Sequence, residues 1–222
     1  MTTARDDVIY HLFNGLDPFA GFDPAGWADP TDEWDSHHPW FDETVAELRP
    51  RVIVEVGTFL GVSARHFAGL LKAAALDSVV ICVDTFLAEQ VLWLNPRWRP
   101  HLRHVNGRPE FYKVWLANAI ESGLTEWLCP LPMASPNAAR LLAHYGIAAD
   151  LVYVDGSHDE GDVYRDLTLY WDLVLRPGGV MLIDDFQETP DFIGVVNDVK
   201  RFSAERNLTF ERHGMKAKFV KP

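Results

Sequence analysis

Carboxylates follow three of the strands that the apolar runs of the sequence predict. Asp84 ends the run VVICVD, Asp155 ends LVYVD, and Asp184 and Asp185 end VMLIDD. Because ligands of open parallel α/β sheets bind beyond the carboxyl ends of the strands, we expect these acids to share one edge of a sheet. Crowded carboxylates repel one another unless they share a proton or a hard cation. Asp155, Asp184 and Asp185 are therefore candidate ligands of Mg²⁺ or Ca²⁺; the alternative is that one binds a cofactor, one caps a helix and no metal binds.

A histidine stands three residues after the first of these candidate ligands, in the sequence DGSHD. Imidazole titrates near neutral pH and can take a proton from a hydroxyl group. His158 and Asp155 are therefore candidate catalytic residues, with an ordinary loop histidine as the alternative reading of His158. His37 and His38 are weaker candidates, because the segment that contains them could fold across the pocket.

A turn with two glycines follows the first predicted strand, in the sequence EVGTFLGVSA. Gly57 and Gly61 permit a tight turn and a close approach of the backbone to a ligand, just before a helix begins. Asp84 comes about 20 residues later, where a nucleotide-binding sheet places a carboxylate for ribose hydroxyls. Either feature also occurs for steric or capping reasons, but together they predict a cofactor site.

The elements that must position these residues alternate between apolar strands and amphipathic helices from residue 52 onward, which is typical of a parallel sheet covered on both faces. The predicted strands cover residues 52–56, 79–84, 127–132, 151–155 and 180–185. The predicted helices between them cover approximately 61–76, 109–122, 136–146, 159–174 and 191–206. The last run, LTFERHGMKAKFV, predicts an antiparallel hairpin around His213 and Gly214. The predicted fold class is α/β: a doubly wound, mostly parallel, seven-stranded sheet with a C-terminal antiparallel hairpin.

Two segments depart from this alternation. Residues 1–50 carry eleven acids and two arginines, a net charge of −9, and are expected to form an acidic aromatic arm and a short helix that ends before Pro50. The main domain, 51–222, is interrupted at about 87–111 by a stretch with four arginines and two tryptophans. We expect this insertion over the top edge of the sheet, either as a lid that contacts substrate or as packing against the arm or another subunit.

Composition excludes several classes of protein. A chain of 222 residues with 48% apolar residues is expected to form one domain with a substantial core. A net charge of −12 repels phosphate backbones and anionic lipids, so neither nucleic acid nor a membrane is an expected partner. The sequence has no run of about 20 apolar residues, no secretory signal at its start, and two cysteines, Cys82 and Cys129, inside strand-like runs. We therefore expect a cytoplasmic protein with reduced thiols.

The chain resembles the class I S-adenosylmethionine-dependent methyltransferases, and within them the catechol O-methyltransferase-like branch and the family-24-type methyltransferase domain. The resemblance covers about residues 35–222. Four motifs carry it: the sequence from Glu55 to Ala64, Asp84 in VDTF, DGSH at 155–158, and RPGGVMLIDDF at 176–186. It implies a Rossmann-like sheet and a methyltransferase that uses S-adenosylmethionine.

The resemblance also implies roles for individual residues. It implies cofactor binding by Glu55, Gly57, Thr58, Gly61, Ser63, Asp84, Thr85, Phe86, Met133, Ala134, Ser135 and Asp155. It implies that Asp155, Asp184 and Asp185 hold a divalent cation, expected to be Mg²⁺. Metal-dependent members of the family carry a lysine base three residues after the first metal acid, where this chain has His158.

The expected reaction is methyl transfer to a hydroxyl of a small molecule, such as a sugar, a glycoside or a phenolic secondary metabolite. A cation would lower the pKa of the hydroxyl and His158 would take its proton. Two alternatives remain: an NAD(P)-dependent oxidoreductase, and a non-catalytic module that binds S-adenosylmethionine. Aromatic residues in 17–40 and 91–115 also predict a homo-oligomer.

Overall fold

The computed structural model describes residues 2–29 and 37–222, so residues 30–36 of the predicted arm, with Trp34, lie outside the described part. The strands are β1 Val52–Val56, β2 Val79–Asp84, β3 Leu128–Pro132, β4 Ala149–Val154, β5 Leu175–Ile183, β6 Glu211–His213 and β7 Lys216–Val220. The helices are α1 Ala4–Phe13, α2 Pro39–Leu48, α3 Val62–Ala73, α4 Gln90–Leu94, α5 Phe111–Glu121, α6 Ser135–His144, α7 Asp162–Leu173 and α8 Ile193–Arg206. Short 3₁₀ helices cover Arg99–Leu102 and Thr125–Trp127.

The seven strands form one sheet in the order β3-β2-β1-β4-β5-β7-β6. Strands β1 to β5 are parallel, and β7 pairs antiparallel with both β5 and β6. The chain reverses direction across the sheet after β3, which makes the sheet doubly wound. The predicted fold class, including the C-terminal hairpin, is confirmed.

The central strands are buried on both faces, as expected of a parallel sheet covered by helices. Every residue of β1 and β4 is buried. Val54 of β1 packs with the cluster that contains α1, α6, α7 and α8, whereas Ile53 packs with the cluster that contains α2, α3 and α5. The alternating side chains of the strands therefore join two separate cores. Cys82 and Cys129 are buried free thiols within this sheet.

Helix α1 was not predicted from the sequence. A capping box begins it: the Thr3 side chain accepts from the Asp6 backbone N–H, and the Asp6 carboxylate accepts from the Thr3 backbone N–H. Arg5 then fastens the helix, since its Nε donates to the Leu128 carbonyl (2.9 Å) and its guanidinium pairs with Asp17 (2.8 Å). These contacts hold the N-terminal segment against the β3 side of the sheet.

Strand β5 begins five residues earlier than the predicted 180–185. The residues Pro177, Gly178 and Gly179 favour a turn, but here they belong to the strand. The Gly178 N–H donates to the Lys221 carbonyl (2.8 Å), and the Lys221 N–H donates to the Gly179 carbonyl (2.9 Å). Pairing with the chain beyond β7 therefore keeps this segment extended.

Among the described residues, none of the helices is both long and apolar enough to cross a membrane.

Candidate active site

Hydrogen bonds just beyond the strand ends bring four loops to one edge of the sheet. Each loop is tied to the neighbouring strand by a backbone N–H. These bonds are Gly57 to Val83 (2.9 Å), Met133 to Asp84 (2.8 Å), Asp155 to Val56 (2.8 Å) and Asp184 to Val154 (3.0 Å). The residues that the sequence places after β1 to β5 are therefore neighbours in space.

The turn after β1 requires glycine at two positions. Gly57 has a φ of +84°, and a Cβ there would lie 2.1 Å from the Asp155 carbonyl oxygen. Gly61 has a φ of +80°, and a Cβ there would lie 2.5 Å from Nε1 of Trp115. The Trp115 indole in turn donates to the Thr58 hydroxyl at 3.1 Å. The turn thus packs between the β4 loop and α5 with no room for a side chain.

Asp84 holds the backbone of this turn in place. Its Oδ2 accepts from the N–H groups of Thr58 and Phe59, both at 3.1 Å, and its Oδ1 accepts from Phe86 at 2.7 Å. Burial raises the pKa of Asp84, and the backbone donors oppose that rise. A carboxylate has about four acceptor positions, so capacity remains for one ligand hydroxyl.

Glu55 is fully buried beneath the turn. The Ser63 hydroxyl donates to its Oε1, while Oε2 has no hydrogen-bond partner among the described residues. Burial raises the pKa of Glu55 to about 7. A buried carboxyl oxygen without a partner is costly, and the cost falls when the group is protonated or when a cationic ligand reaches it.

The remaining predicted cofactor residues surround the same edge in different ways. Phe86 is buried with a φ of +52° and packs its ring 4.7 Å from that of Tyr112. Thr85 is exposed. Met133 and Ala134 lead from β3 into α6. The Ser135 hydroxyl is already engaged, since it donates to Asp166, whose pKa burial raises to about 6.

The acids after β4 and β5 meet a cation that the sequence analysis did not identify. Nζ of Lys216, a buried residue of β7, lies 2.6 Å from Asp184 Oδ2 and 3.1 Å from the Tyr153 hydroxyl. The Tyr153 hydroxyl donates to the same Asp184 oxygen and lies 3.2 Å from Asp155 Oδ2. One ammonium and one phenol therefore connect two of the three predicted metal ligands.

Asp155 is the acid of this cluster whose pKa rises well above the usual value. Burial is the main cause, and the charges of Asp184 and Asp185 add to it. The Tyr153 hydroxyl has one proton, and its contact with Asp184 is shorter than its 3.2 Å contact with Asp155. Lys216 therefore offsets part of the repulsion among these acids through Asp184.

His158 pairs with the third acid. Its Nε2 lies 3.0 Å from Asp185 Oδ2, and the histidine side chain is 32% exposed. Burial lowers the pKa of His158, but the hydrogen bond from His158 to Asp185 and the nearby carboxylates outweigh it, so the pKa is raised. The ring edge of Phe192 packs against the imidazole at 4.8 Å between centroids. The loop is fixed from below, because a Cβ on Gly194 of α8 would lie 2.4 Å from the His158 carbonyl oxygen.

Among the described residues, Asp155, His158 and Asp185 form a group whose spacing could hold a metal ion. One ligand atom from each lies within 4.8 Å of the other two. Two carboxylates and an imidazole are ligands that suit a divalent cation. Asp184, the other predicted ligand, has one oxygen on Lys216 and the other on the Asp185 N–H at 2.8 Å.

The insertion lies beside this edge and contacts the arm. Asp29 of the arm lies 2.9 Å from Nδ1 of His101, and Arg103 donates to the Gly26 carbonyl at 2.7 Å. The ring of His101 also meets Phe59 of the glycine turn, at 6.4 Å between centroids. His38 follows the part of the arm that is not described. Burial lowers the pKa of His38, and the nearby charge of Lys216 lowers it further.

A doubly wound sheet with a glycine turn and an acid after the second strand defines a Rossmann-like fold. The family model Methyltransf_24, described as a methyltransferase domain, matches residues 54–186. The chain belongs to this family.

The chain is also similar in sequence to a curated protein. The protein y4gI of Sinorhizobium fredii is 29% identical over 189 residues, which are 84% of this chain and 19% of that protein. The chain thus spans about one fifth of the length of this relative.

Solved structures share the fold at low sequence identity. The O-methyltransferase TomG of Streptomyces achromogenes, solved with SAM, is 19% identical with a TM-score of 0.58, over 82% of this chain and 78% of TomG. The O-methyltransferase of Bacillus cereus, solved with SAH, is 15% identical with a TM-score of 0.59, over 99% of this chain and 98% of that one. The cofactor-bound Rv0187 from MTB is 15% identical with a TM-score of 0.61, over 97% and 95%.

Sequence reasoning missed Tyr153, Lys216 and Trp115. Lys216 alternates with Ala217 and Phe219 in the last strand, but lysines in such alternation normally face solvent. Tyr153 lies within an apolar run and gives no sign that its hydroxyl reaches the acids. Neither residue could be assigned without the sheet order, which places β7 next to β5.

Proposed function

We propose that this chain is an S-adenosylmethionine-dependent O-methyltransferase that acts on a hydroxyl group of a small molecule. The observation that carries the proposal is the His158–Asp185 pair, 3.0 Å apart, at the same sheet edge as the glycine turn and Asp84. The match to a methyltransferase-domain family supports it, and the glycine turn EVGTFLG lacks the Gly-x-Gly-x-x-Gly pattern that an NAD(P)-dependent oxidoreductase would carry.

The residues of the turn fit S-adenosylmethionine. One hydroxyl of its ribose can use the remaining acceptor position of Asp84, and its positive charge suits an edge that is rich in carboxylates. Glu55 Oε2, buried and without a partner, adds a place for a cationic or hydrogen-bonding group. When bound, this cofactor supplies a methyl group on a sulfonium ion, which is a good acceptor of an attacking oxygen.

The chain supplies the proton transfer. Asp185 orients the His158 ring through Nε2, so the second ring nitrogen is the one that can take the proton of an acceptor hydroxyl. Phe192 limits the rotation of the ring. Positioning of the oxygen and exclusion of water at this edge supply much of the remaining rate enhancement.

We also propose that a divalent cation, Mg²⁺ by preference, assists the reaction. The carboxylates of Asp155 and Asp185 would hold it, and Asp184 would join them only after its ion pair with Lys216 opens. Such a cation would lower the pKa of the acceptor hydroxyl. Sugars, glycosides and phenols remain the proposed acceptors, and a cytoplasmic homo-oligomer remains the proposed setting.

Calorimetric titration of S-adenosylhomocysteine into the protein tests the cofactor site. We expect binding by the wild type, with and without EDTA, and at least tenfold weaker binding by Asp84→Asn. Asp172→Asn is the matched control, because Asp172 pairs with Arg206 on the surface, far from the sheet edge in sequence and contacts. Folded protein that binds no S-adenosylhomocysteine would contradict the proposal, and binding without turnover on any hydroxyl acceptor would support the non-catalytic alternative.

A further inference from the structure

The insertion contains a pocket whose residues have no role in the proposed reaction. Its volume is about 450 Å³, within the range of about 300–1,000 Å³ that is usual for small-ligand sites. The lining residues are Leu94, Pro96, Arg99, Pro100, Arg103 and His104. The lining of this open pocket thus combines two arginines and a histidine with apolar residues.

The charge of this pocket contrasts with that of the protein. The whole chain has a net charge of −12, whereas residues 87–111 contain four arginines against two glutamates. Among residues 2–29 and 37–222, no carboxylate forms an ion pair with Arg99 or Arg103. Arg103 is nevertheless held in place, since it donates to the Gly26 carbonyl and its guanidinium lies 5.9 Å from the Trp27 ring centre. A fixed guanidinium without a carboxylate partner can bind an anion at little entropic cost.

Two contacts connect the pocket to the candidate active site. The Trp93 indole of α4 donates to the Leu87 carbonyl at 2.9 Å, three residues beyond Asp84, and its ring meets that of His104 at 4.5 Å. On the other side, His101 of the 3₁₀ helix contacts Phe59, whose N–H donates to Asp84.

Helix α4 also begins close to the proposed base. Burial raises the pKa of Glu89, the residue before α4, while the charge of His158 lowers it, so the two side chains are within electrostatic range. From there the five residues of α4 extend about 7 Å to Leu94, which lines the pocket.

We infer that this pocket binds a phosphate or diphosphate group of the methyl acceptor, while the acceptor hydroxyl lies at His158. The inference rests on the proposed function and narrows its substrate to a phosphate-bearing molecule, such as a sugar linked to a nucleoside diphosphate. Two arginines and a histidine offer more donors and more charge than one carboxylate needs, whereas a diphosphate can use them all. The apolar walls from Leu94, Pro96 and Pro100 suit a ring attached to that group.

The test is calorimetric titration of uridine diphosphate, inorganic pyrophosphate and citrate into the full chain saturated with S-adenosylhomocysteine. We expect uridine diphosphate to bind, and Arg99→Ala to weaken it at least tenfold without a change in affinity for S-adenosylhomocysteine. Arg108→Ala is the matched control, because Arg108 is an exposed arginine of the same insertion that does not line the pocket. Weaker binding of pyrophosphate than of uridine diphosphate would support a nucleotide-linked acceptor, and equal binding would support a simpler phosphate ester.

Three results would overturn the inference. One is no binding of either phosphate probe to a chain that still binds S-adenosylhomocysteine, which leaves the proposed function intact. Another is that Arg99→Ala and Arg108→Ala weaken the binding of uridine diphosphate equally, which would indicate an effect of diffuse charge. The third is that citrate binds and neither phosphate probe does, which would indicate a carboxylate acceptor. Folded protein that fails to bind S-adenosylhomocysteine would contradict the proposed function, and this inference with it.

Discussion

Lys216 Nζ lies 2.6 Å from Asp184 Oδ2, and this ion pair links the antiparallel strand β7 to the acids at the carboxyl end of the parallel sheet. Both side chains are largely buried, with 8% and 17% exposure. The Tyr153 hydroxyl contacts both partners. The pair is therefore part of the charge balance of the candidate site and also part of the sheet core.

Lys216→Met is expected to destabilise the protein by about 3 kcal/mol, because it leaves Asp184 as a buried charge without its partner. Urea unfolding at neutral pH measures the change in the free energy of unfolding. Lys218→Met is the control: Lys218 lies two residues further on and pairs with Glu211, which is 65% exposed, so the expected change is about 1 kcal/mol or less. Equal losses in the two variants would refute the assigned role of Lys216.

His158→Gln is expected to lower kcat about 10²–10⁴-fold, the usual contribution of a general base, and to leave the affinity for S-adenosylhomocysteine unchanged. Steady-state kinetics with an accepted hydroxyl substrate, together with calorimetry, separate these effects. His144→Gln, at the exposed end of α6, should behave as the wild type. Near-normal turnover in His158→Gln would make His158 a loop residue.

Excess EDTA is expected to abolish turnover and added Mg²⁺ to restore it, because the proposed cation lowers the pKa of the acceptor hydroxyl. Asp155→Asn should remove Mg²⁺ binding in a calorimetric titration. Asp159→Asn provides the control, since Asp159 is an exposed acid next to His158 in the same loop. Full activity in EDTA would contradict the proposed role of the cation.

Glu55→Gln is expected to flatten the dependence of stability on pH between about 4.5 and 7. The pKa of Glu55 is about 7 in the folded protein and near 4.5 when unfolded, so the unfolded chain releases its proton first as the pH rises. The free energy of unfolding therefore falls by about 3 kcal/mol in total as the pH rises through this window. Below about pH 4.5, Glu55 has no effect on the free energy of unfolding. Urea unfolding of the wild type and the variant at pH 5, 6, 7 and 8 measures the difference in slope.

Glu121→Gln serves as the comparison for that experiment, because Glu121 is exposed at the end of α5. Its curve should parallel the wild type throughout. A Glu55→Gln curve that also parallels the wild type would mean that Glu55 is charged in the folded protein.

Gly57→Ala is expected to destabilise the protein by about 3 kcal/mol or more, since its Cβ would overlap the Asp155 carbonyl and its φ of +84° disfavours alanine. Gly69→Ala makes the same change within α3, where a Cβ would meet no heavy atom within 4 Å. That variant should gain up to about 1 kcal/mol from helix propensity. Thermal unfolding distinguishes the two, and a harmless Gly57→Ala would refute the close approach of β1 and β4.

The fold could be predicted from the sequence because its signals are local. Continuous apolar runs mark the buried parallel strands, and the turn around Gly214 marks the hairpin. The ends of a strand are harder to predict where pairing with a distant segment determines them. The sequence from Pro177 to Gly179 favours a turn, but it is extended because Lys221 pairs with it. The start of α1 was readable in the capping box of Thr3 and Asp6, but the helix itself depends on Arg5 and its contacts with the sheet.

The candidate site was predictable where one residue follows one strand. Asp84, Asp155, Asp184, Asp185 and His158 all lie at the expected edge, because parallel strands end there. What could not be predicted is how these side chains pair. Lys216 reaches Asp184 through an antiparallel strand that inserts next to β5, and no local pattern specifies that insertion.

The position of Lys216 in the chain has a consequence for folding. Of the site residues described above, it is the last to be synthesised, and segments made earlier generally begin to fold first. Until β7 inserts between β5 and β6, the acids at the sheet edge lack their ammonium partner and repel one another. Insertion of this strand thus relieves an electrostatic penalty in the nascent chain and couples completion of the sheet to completion of the candidate site.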